Sequence, residues 1–252
     1  MKKKAQSQFI QFFKGRPQFS REELYDYFLT TEGEINEGTL GWRIYDLKQK
    51  KILQEIQRGW YTLGVRPFYR PTIEPIIQEL ANLFTKNFRN VPYCAWNISW
   101  LNEFTVHQFS SERIILETEK DLHESLANIL GDNGYHNVIW SLKGQPPRNN
   151  FKEIPILLLP LISRAPVQGI TTDDSQSVVI PTLEKILVDI YEGSSAFRFI
   201  QGAEIERIFK HAIERYAINY SKVLNYARRR GKEMELRAFL SKHVHDTAKN
   251  YD

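Results

Sequence analysis

The chain has 252 residues, of which 42% are hydrophobic and 13% aromatic, so it can bury a sizeable core and is not a disordered tail. Its formal net charge is +4, and its single cysteine excludes an intrachain disulfide and an all-cysteine metal site. Because no apolar run reaches the length of a signal peptide or a membrane span, we expect a cytoplasmic protein with no membrane partner.

The charge is unevenly distributed along the chain. Residues 1–70 carry a net charge of +5 and residues 204–252 carry +4, whereas residues 71–203 carry −5. Basic segments in a folded protein favour a polyanionic partner, because each phosphate that they neutralise releases counterions. Ordinary variation between segments of this size is the alternative, and composition alone does not separate the two.

The first 51 residues carry the signals of three helices. A first helix is expected to end near Gly15, and Ser20 with Glu23 forms the capping box that begins a second helix. Asn36 can cap a third helix running to about Lys51, whose apolar positions recur at spacings of four and three. The predicted apolar faces of the three helices are Phe9, Ile10, Phe12 and Phe13; Leu24, Tyr27 and Phe28; and Leu40, Ile44 and Leu47.

A hairpin is predicted directly after the third helix. Two short runs, at residues 52–56 and 60–63, flank the loop Gln57-Arg58-Gly59, which ends in the glycine that a bulged hairpin requires. Three helices followed by a hairpin is the order of a winged helix-turn-helix. In that fold the third helix enters the DNA groove and the hairpin tip is the wing.

The polar side of the third helix carries residue types that can contact base edges and phosphates. Lys2–Lys4 and Arg16 could also hold the DNA backbone, whereas Asp46 on the same arc repels phosphate. Because winged helices also serve as protein-interaction modules, that role stays open as an alternative. The candidate DNA-binding residues are Arg21, Thr39, Trp42, Arg43, Gln49, Lys50 and Arg58.

The rest of the chain indicates mixed α and β structure followed by helices. A helix at 72–88 precedes β-rich runs at 93–98, 113–118, 138–142, 154–159 and 177–180, with helices at 100–105 and 121–130. Pro181 is expected at the first position of a helix, and further helices cover 202–217, 220–230 and 233–243. The predicted fold class is therefore α+β, with an N-terminal winged helix-turn-helix, a mixed α/β middle domain and a helical C-terminal segment. The Gly- and Pro-rich segment at 64–71 divides a domain at 1–65 from a domain at 72–252.

A second basic patch is possible at the end of the helix at 220–230. Its residues could contact a second phosphate or an acidic partner, although the helix dipole favours cations at this position whatever the function. A solvated helix end is therefore the competing interpretation. The patch consists of Arg228, Arg229, Arg230 and Lys232.

Two carboxylates offer an enzymatic alternative. Glu117 and Glu119 lie one residue apart at a strand end and could hold Mg²⁺ on one face, as in a degenerate nucleotidyltransferase. The segment upstream lacks the Gly-Ser phosphate loop that such an enzyme needs. The histidines show no metal-ligand spacing with Cys94, and no catalytic serine motif, P-loop or dinucleotide fingerprint is present. We therefore expect no enzyme activity, no metal and no cofactor.

Three groups of stretches, taken in chain order, indicate a family. They are FSREELYDYF and TLGWRIYDLKQKKILQEIQRGWYTLG; ISWLNEF and RIILETEK; and VVIPTLEKILVDIY before the helical tail. Together they resemble the AbiEi type of antitoxin, the transcriptional autoregulators of bacterial abortive-infection toxin–antitoxin systems that act in phage defence.

The resemblance implies a specific division of labour. The chain would repress its own operon through inverted repeats in double-stranded DNA, bound as a monomer or a dimer. It would also neutralise a cognate nucleotidyltransferase toxin, commonly without a stable complex. The groove-reading role would fall on Thr39, Trp42 and Arg43, the wing role on Arg58, and the antitoxin activity on residues 72–252.

Overall fold

The computed structural model describes residues 3–106, 112–140, 153–171, 177–193 and 196–245. Its helices and strands confirm the mixed α+β class. The segment at residues 3–63, which we call the N-terminal unit, comprises α1 (Lys3–Phe13), β1 (Phe19–Ser20), α2 (Arg21–Glu32), α3 (Glu37–Gln49), β2 (Leu53–Gln57) and β3 (Trp60–Leu63).

The N-terminal unit packs its three helices against a small antiparallel sheet in the order β1-β3-β2. The capping box is confirmed, since the Ser20 hydroxyl accepts from the Glu23 amide and the Glu23 carboxylate accepts from the Ser20 amide. The predicted apolar faces of α2 and α3 are buried. On α1 the prediction was wrong for Ile10 and Phe12, which are exposed, because only positions four apart, Phe9 and Phe13, face the core.

Two features of the hairpin region differ from the prediction. The turn consists of Arg58-Gly59 rather than three residues, because Gln57 pairs with Trp60, and Gly59 adopts the left-handed φ of 76° that glycine tolerates. The two-residue strand β1 was not predicted, since a strand this short has no alternation to detect.

The segment at residues 69–245, which we call the C-terminal unit, begins with α4 (Pro75–Asn87) and the strand β4 (Cys94–Asn97), and it contains 3₁₀ turns at Ile98–Phe104 and Lys120–Leu122. The remaining elements are β5 (Ile114–Thr118), α5 (His123–Asp132), β6 (Val138–Ile139), β7 (Ile156–Pro160), β8 (Val167–Thr171), β9 (Ser177–Pro181), α6 (Leu183–Glu192), α7 (Ala203–Arg215), α8 (Tyr220–Arg229) and α9 (Glu233–His245).

The main sheet of the C-terminal unit has the order β4-β5-β7-β6, with β5, β7 and β6 parallel and β4 antiparallel. The strands β8 and β9 form a separate antiparallel ribbon. β8 was not among the predicted β-rich runs. Pro181 ends β9 instead of starting the next helix, and Thr182 is the N-cap of α6.

The buried apolar residues form one cluster in each unit, the first from Phe9 to Tyr61 and the second from Tyr69 to Leu240. The linker between them is held on both sides. The Gln54 side chain accepts a hydrogen bond from the Arg66 amide and donates one to the Arg66 carbonyl. The Arg66 guanidinium donates to the Ile213 carbonyl over 2.7 Å. The Ala217 amide also donates to the Pro67 carbonyl. The linker is therefore hydrogen-bonded to both units.

Candidate nucleic-acid interface

The outer face of α3 is set by its cap and by its buried stripe. The Asn36 side chain accepts from the Thr39 amide over 2.8 Å, which satisfies a donor at the helix start. Because Leu40, Ile44 and Leu47 point into the core, the opposite arc projects outward. We call this arc the α3 outer face; it comprises Thr39, Trp42, Tyr45 and Gln49.

The α3 outer face carries two large exposed aromatic side chains. Trp42 is 55% exposed and Tyr45 is 59% exposed, and they lie three residues apart on neighbouring positions of the helix. Sequence reasoning selected Trp42 and missed Tyr45. The spacing from Trp42, away from the buried stripe, is the signal that could have found it.

A chain of contacts through Arg21 ties the hairpin tip to the start of α3. The Arg21 amide donates to the Gly59 carbonyl over 2.8 Å, and the Arg21 guanidinium donates to the Glu37 carboxylate over 2.8 Å. The Glu37 carboxylate raises the pKa of Arg21 further. Since Glu37 is the first residue of α3, the exposed Arg58 at the tip lies on the side of the molecule where α3 begins.

Arg43 lies at the edge of the α3 outer face and is bound by a carboxylate. Its Nε and Nη2 atoms donate to Glu32 at the end of α2, over 3.1 and 2.8 Å, and its guanidinium lies 5.4 Å from the centre of the Trp42 ring. The side chain is one-quarter exposed. Arg43 therefore orients the Trp42 ring. To bind another anion, its guanidinium must first release the Glu32 carboxylate.

Further cations around α3 also have carboxylate partners. Lys50, the residue that caps the C-terminus of α3, donates to Asp46 over 2.7 Å, and this hydrogen bond lowers the pKa of Asp46 and raises that of Lys50. Lys48 donates to Glu55 over 2.8 Å and Arg16 to Glu23 over 3.1 Å. The ion pair with Lys50 offsets the negative charge of Asp46, which would otherwise repel phosphate from this side of α3.

The structure divides the predicted second basic patch. Arg228 is held by Glu233 over 2.6 Å, the half-buried Arg230 by Glu192 over 2.6 Å, and Lys232 by Glu235 over 2.7 Å. Arg229, in contrast, is exposed and forms no ion pair with any described residue. Three of the four residues are thus paired with carboxylates, and a role of the patch in binding phosphate stays a prediction.

Glu117 and Glu119 do not form the shared carboxylate site that the enzymatic alternative required. Glu117 is only 4% exposed and accepts from Lys185 Nζ over 2.5 Å and from Trp96 Nε1 over 3.2 Å. Glu119 lies beyond the end of β5 and is exposed. The alternation of a strand no longer holds there, so one carboxylate faces the core and the other faces solvent.

Lys185 is the centre of a buried polar network that the sequence did not indicate. The Lys185 side chain is fully buried. Its ammonium group donates to Glu117 and, over 2.6 Å, to Asp189. Asp189 also accepts from the Tyr226 hydroxyl over 2.8 Å. Burial alone would lower the pKa of Lys185, but the Asp189 and Glu117 carboxylates raise it well above its usual value. Lys185 therefore stays charged inside the C-terminal unit.

Two further findings concern the described part of the chain. There, no group of three or more histidine, cysteine or acidic side chains is close enough to hold a metal ion. None of the helices in the same part is long and apolar enough to cross a membrane. Lys2, His107 and the side chains of Lys3, His243 and His245 lie outside the described residues.

The chain matches the model of a protein family. Residues 39–246 match the model of the protein family described as "Family of unknown function (DUF6577)". No curated protein matches the chain. The matched range begins within α3, so it includes the hairpin and the whole of the C-terminal unit.

Proposed function

The chain belongs to the family of unknown function DUF6577, and we propose that it is a sequence-specific DNA-binding regulator whose N-terminal unit acts as a winged helix. The α3 outer face carries this proposal. Polar and aromatic side chains project from one helix, and Arg21 links the start of that helix to the hairpin tip that bears Arg58. The sheet order β1-β3-β2, with α3 directly before the hairpin, also supports it.

In this proposal α3 lies in the major groove and the hairpin is the wing. Thr39 and Gln49 would hydrogen-bond base edges, and Trp42 with Tyr45 would make apolar contacts such as those with thymine methyl groups. Phosphates would be contacted by cations around the α3 outer face, which position the protein without reading sequence. These cations are Arg21, Arg43, Lys50 and Arg58.

The carboxylate partners of these cations are compatible with DNA binding. Exposed ion pairs contribute only about 0–1 kcal/mol each, whereas a phosphate that replaces the carboxylate also releases condensed counterions. The Arg43–Glu32 and Lys50–Asp46 pairs are both partly exposed, so a phosphate can compete for each cation. Exchange of partners is therefore the expected step on binding.

For residues 72–252 the proposal follows the resemblance to AbiEi-type antitoxins. This region would act as the effector domain that neutralises a cognate nucleotidyltransferase toxin, while the N-terminal unit represses the shared operon from inverted repeats, as a monomer or a dimer. Of the resembling stretches, RIILETEK forms β5 and VVIPTLEK spans β9 and the start of α6, so both lie at the centre of the C-terminal unit.

One observation favours a second candidate, a winged helix that binds protein rather than DNA. Three large aromatic side chains of the N-terminal unit, Trp42, Tyr45 and Phe12, are more than half exposed. Aromatic side chains are enriched where proteins bind each other. In this candidate the α3 outer face would dock on a partner protein, and the chain would show no preference between DNA sequences.

The test is an equilibrium titration of the full-length chain with two labelled duplexes, one from upstream of its own coding sequence and one with the same bases scrambled. The proposal expects the upstream duplex to bind at least about tenfold more tightly, with both affinities falling as salt rises. Equal, weak binding to both duplexes would instead support the protein-binding candidate.

A further inference from the structure

A cleft of about 780 Å³ lies in the C-terminal unit between α8 and the turn that precedes β8. Four of the residues that line it are cations, and no carboxylate is among its lining residues in the described part of the chain. We call it the basic cleft and define it by Arg164, Lys222, Arg228 and Arg229, with Asn225 on its wall and Tyr226 at its base.

Three of the four cations lack an anionic partner among the residues that the structure describes. Arg228 is bound by Glu233, but Arg164, Lys222 and Arg229 form no ion pair with any described residue. The neighbouring cations outside the cleft, Arg230 and Lys232, are paired. Charges of one sign in a concave surface repel each other and focus their field on an incoming anion, so an anionic ligand is what this arrangement favours.

The cations come from two separate segments of the chain. Arg164 adopts a φ of 57°, a conformation uncommon for residues other than glycine, in a turn closed by the Ala165 amide and the Ile162 carbonyl. Lys222 and Arg229 lie on α8, on the other side of the cleft. A helix end with solvated side chains would not by itself bring Arg164 to the same concavity.

The spacing along α8 fits an extended polyanion rather than a single anion. Lys222, Asn225 and Arg229 follow one another at intervals of three and four residues, which places them on one side of the helix. Lys222 and Arg229 are seven positions apart, which corresponds to a rise of about 10 Å along the helix axis. The two charges can thus contact different phosphates, with the Asn225 amide between them.

The base of the cleft provides no site for recognising a nucleobase. The Tyr226 side chain is only 2% exposed and its hydroxyl donates to Asp189 over 2.8 Å. The ring is therefore not free to stack on a base, and the hydroxyl is already occupied. The charged side chains of the lining, in contrast, are suited to a phosphate backbone rather than to a particular base.

The helix that lines the cleft starts at the hairpin of the N-terminal unit. The Asn219 side chain, which caps α8, donates to Gln57 over 2.9 Å, and Gln18 donates to the Ser221 hydroxyl over 3.4 Å. Gln57 directly precedes Arg58 in the chain. The ten residues of α8 span about 15 Å, so one rigid element connects the hairpin to the basic cleft.

We propose that the basic cleft binds backbone phosphates of the nucleic acid that the N-terminal unit reads, an inference that rests on the function proposed above. Arg164 and Arg229 supply planar guanidinium groups suited to phosphate oxygens, and Lys222 supplies a point charge. The cleft thereby adds affinity without adding sequence preference.

The test compares two double variants of the full-length chain. Lys222→Ala with Arg229→Ala removes two cleft cations from exposed positions of α8, where alanine favours the helix. Lys86→Ala with Arg89→Ala is the matched control, because both side chains are exposed and lie outside the cleft. Circular dichroism and melting temperature establish that both variants are folded. Affinity for the upstream and the scrambled duplex is then measured over a series of salt concentrations.

The expected result is that the cleft variant weakens binding to both duplexes by the same factor, about tenfold or more at low salt. The slope of log affinity against log salt should also fall by about two, and the control variant should match the wild type. A Trp42→Ala variant, by contrast, should lose the preference for the upstream duplex.

Two other outcomes separate the two proposals. Unchanged binding in the cleft variant, with preference lost in Trp42→Ala, would overturn the cleft and leave the DNA-reading function standing. Equal binding to both duplexes that the cleft variant abolishes would overturn sequence reading by α3 and support the cleft. Absence of binding to either duplex would overturn both.

Discussion

The backbone amide of Arg21, at the start of α2, donates to the carbonyl of Gly59 at the hairpin tip over 2.8 Å. The same residue reaches the start of α3 through its guanidinium group, which binds Glu37. One residue thus fixes the position of the hairpin tip relative to the helix that carries Trp42.

Arg58→Ala should weaken DNA binding uniformly across sequences. Arg58 is exposed at the hairpin tip, where its charge can contact a phosphate but no described carboxylate pairs with it. Loss of one phosphate contact should reduce the salt slope by about one. Fluorescence anisotropy with the upstream and scrambled duplexes measures both quantities. Lys86→Ala is the charge-matched control, and a salt slope equal in both variants would remove Arg58 from the interface.

Arg43→Ala and Glu32→Gln should have opposite effects on affinity. Arg43→Ala should weaken binding to both duplexes by a similar factor, because it removes a phosphate contact. Glu32→Gln frees the same guanidinium and removes a negative charge, so it should tighten binding. Titrations at one salt concentration test the pair. If Arg43→Ala leaves the affinity and the footprint unchanged, Arg43 acts only on Trp42 and not on DNA.

The double change Trp42→Ala and Tyr45→Ala should abolish sequence preference without destabilising the fold. Both side chains are more than half exposed, so their loss should alter the free energy of unfolding by no more than about 0.5 kcal/mol. Competition between the two duplexes measures the preference, and urea unfolding measures the stability. Met234→Ala, at a position 77% exposed, is the control. A preference that survives the double change would place sequence reading elsewhere.

Lys185→Met should destabilise the C-terminal unit by about 3–5 kcal/mol, because it leaves Glu117 buried without its counter-charge and Asp189 with only the Arg230 guanidinium, 3.6 Å away. Combining it with Glu117→Gln and Asp189→Asn should recover most of that loss, since the unpaired charges are removed together. Urea unfolding of each variant is the measurement. Lys210→Met, on the exposed side of α7, serves as the comparison. Equal stability of Lys185→Met and the wild type would show that the network is not needed for folding.

Stability should fall in acid as the Glu233 carboxyl is protonated. Its hydrogen bond from Arg228 lowers the pKa of Glu233 from 4.5 to about 2. A carboxyl whose pKa is lower in the folded state contributes stability above its unfolded pKa, and that contribution is lost as pH drops from about 4.5 to about 2. Glu233→Gln should therefore unfold with a smaller dependence on pH in this window than Glu214→Gln, a change at another exposed carboxyl. Identical pH profiles would contradict the assignment.

Local signals were sufficient for much of the N-terminal unit. The capping box at Ser20 and the stripe of Leu40, Ile44 and Leu47 are short-range patterns, so they specify α2 and α3 without knowledge of the rest of the fold. The same patterns located the exposed Trp42. They could not show that Glu32 holds Arg43, because that pair depends on how α2 packs against α3.

Long-range pairing explains what the sequence did not reveal in the C-terminal unit. Lys185 and Asp189 lie four residues apart and have the pattern of a solvated helix face, yet every position of α6 from Leu183 to Ile190 is buried. Their partner Glu117 lies 68 residues upstream of Lys185, on a strand. The basic cleft likewise unites Arg164 with α8, which no single stretch of sequence contains.

Photocrosslinking from the α3 outer face tests directly whether this face reads DNA. A benzophenone side chain replaces Tyr45 in the full-length chain, or replaces the exposed Lys86 as a control, and each protein is irradiated with the labelled upstream duplex. We expect a crosslink from position 45 and none from position 86. Excess unlabelled upstream duplex should remove the crosslink from position 45, whereas scrambled duplex should not. A duplex that binds with full affinity but crosslinks from neither position, or equally from both, would contradict it.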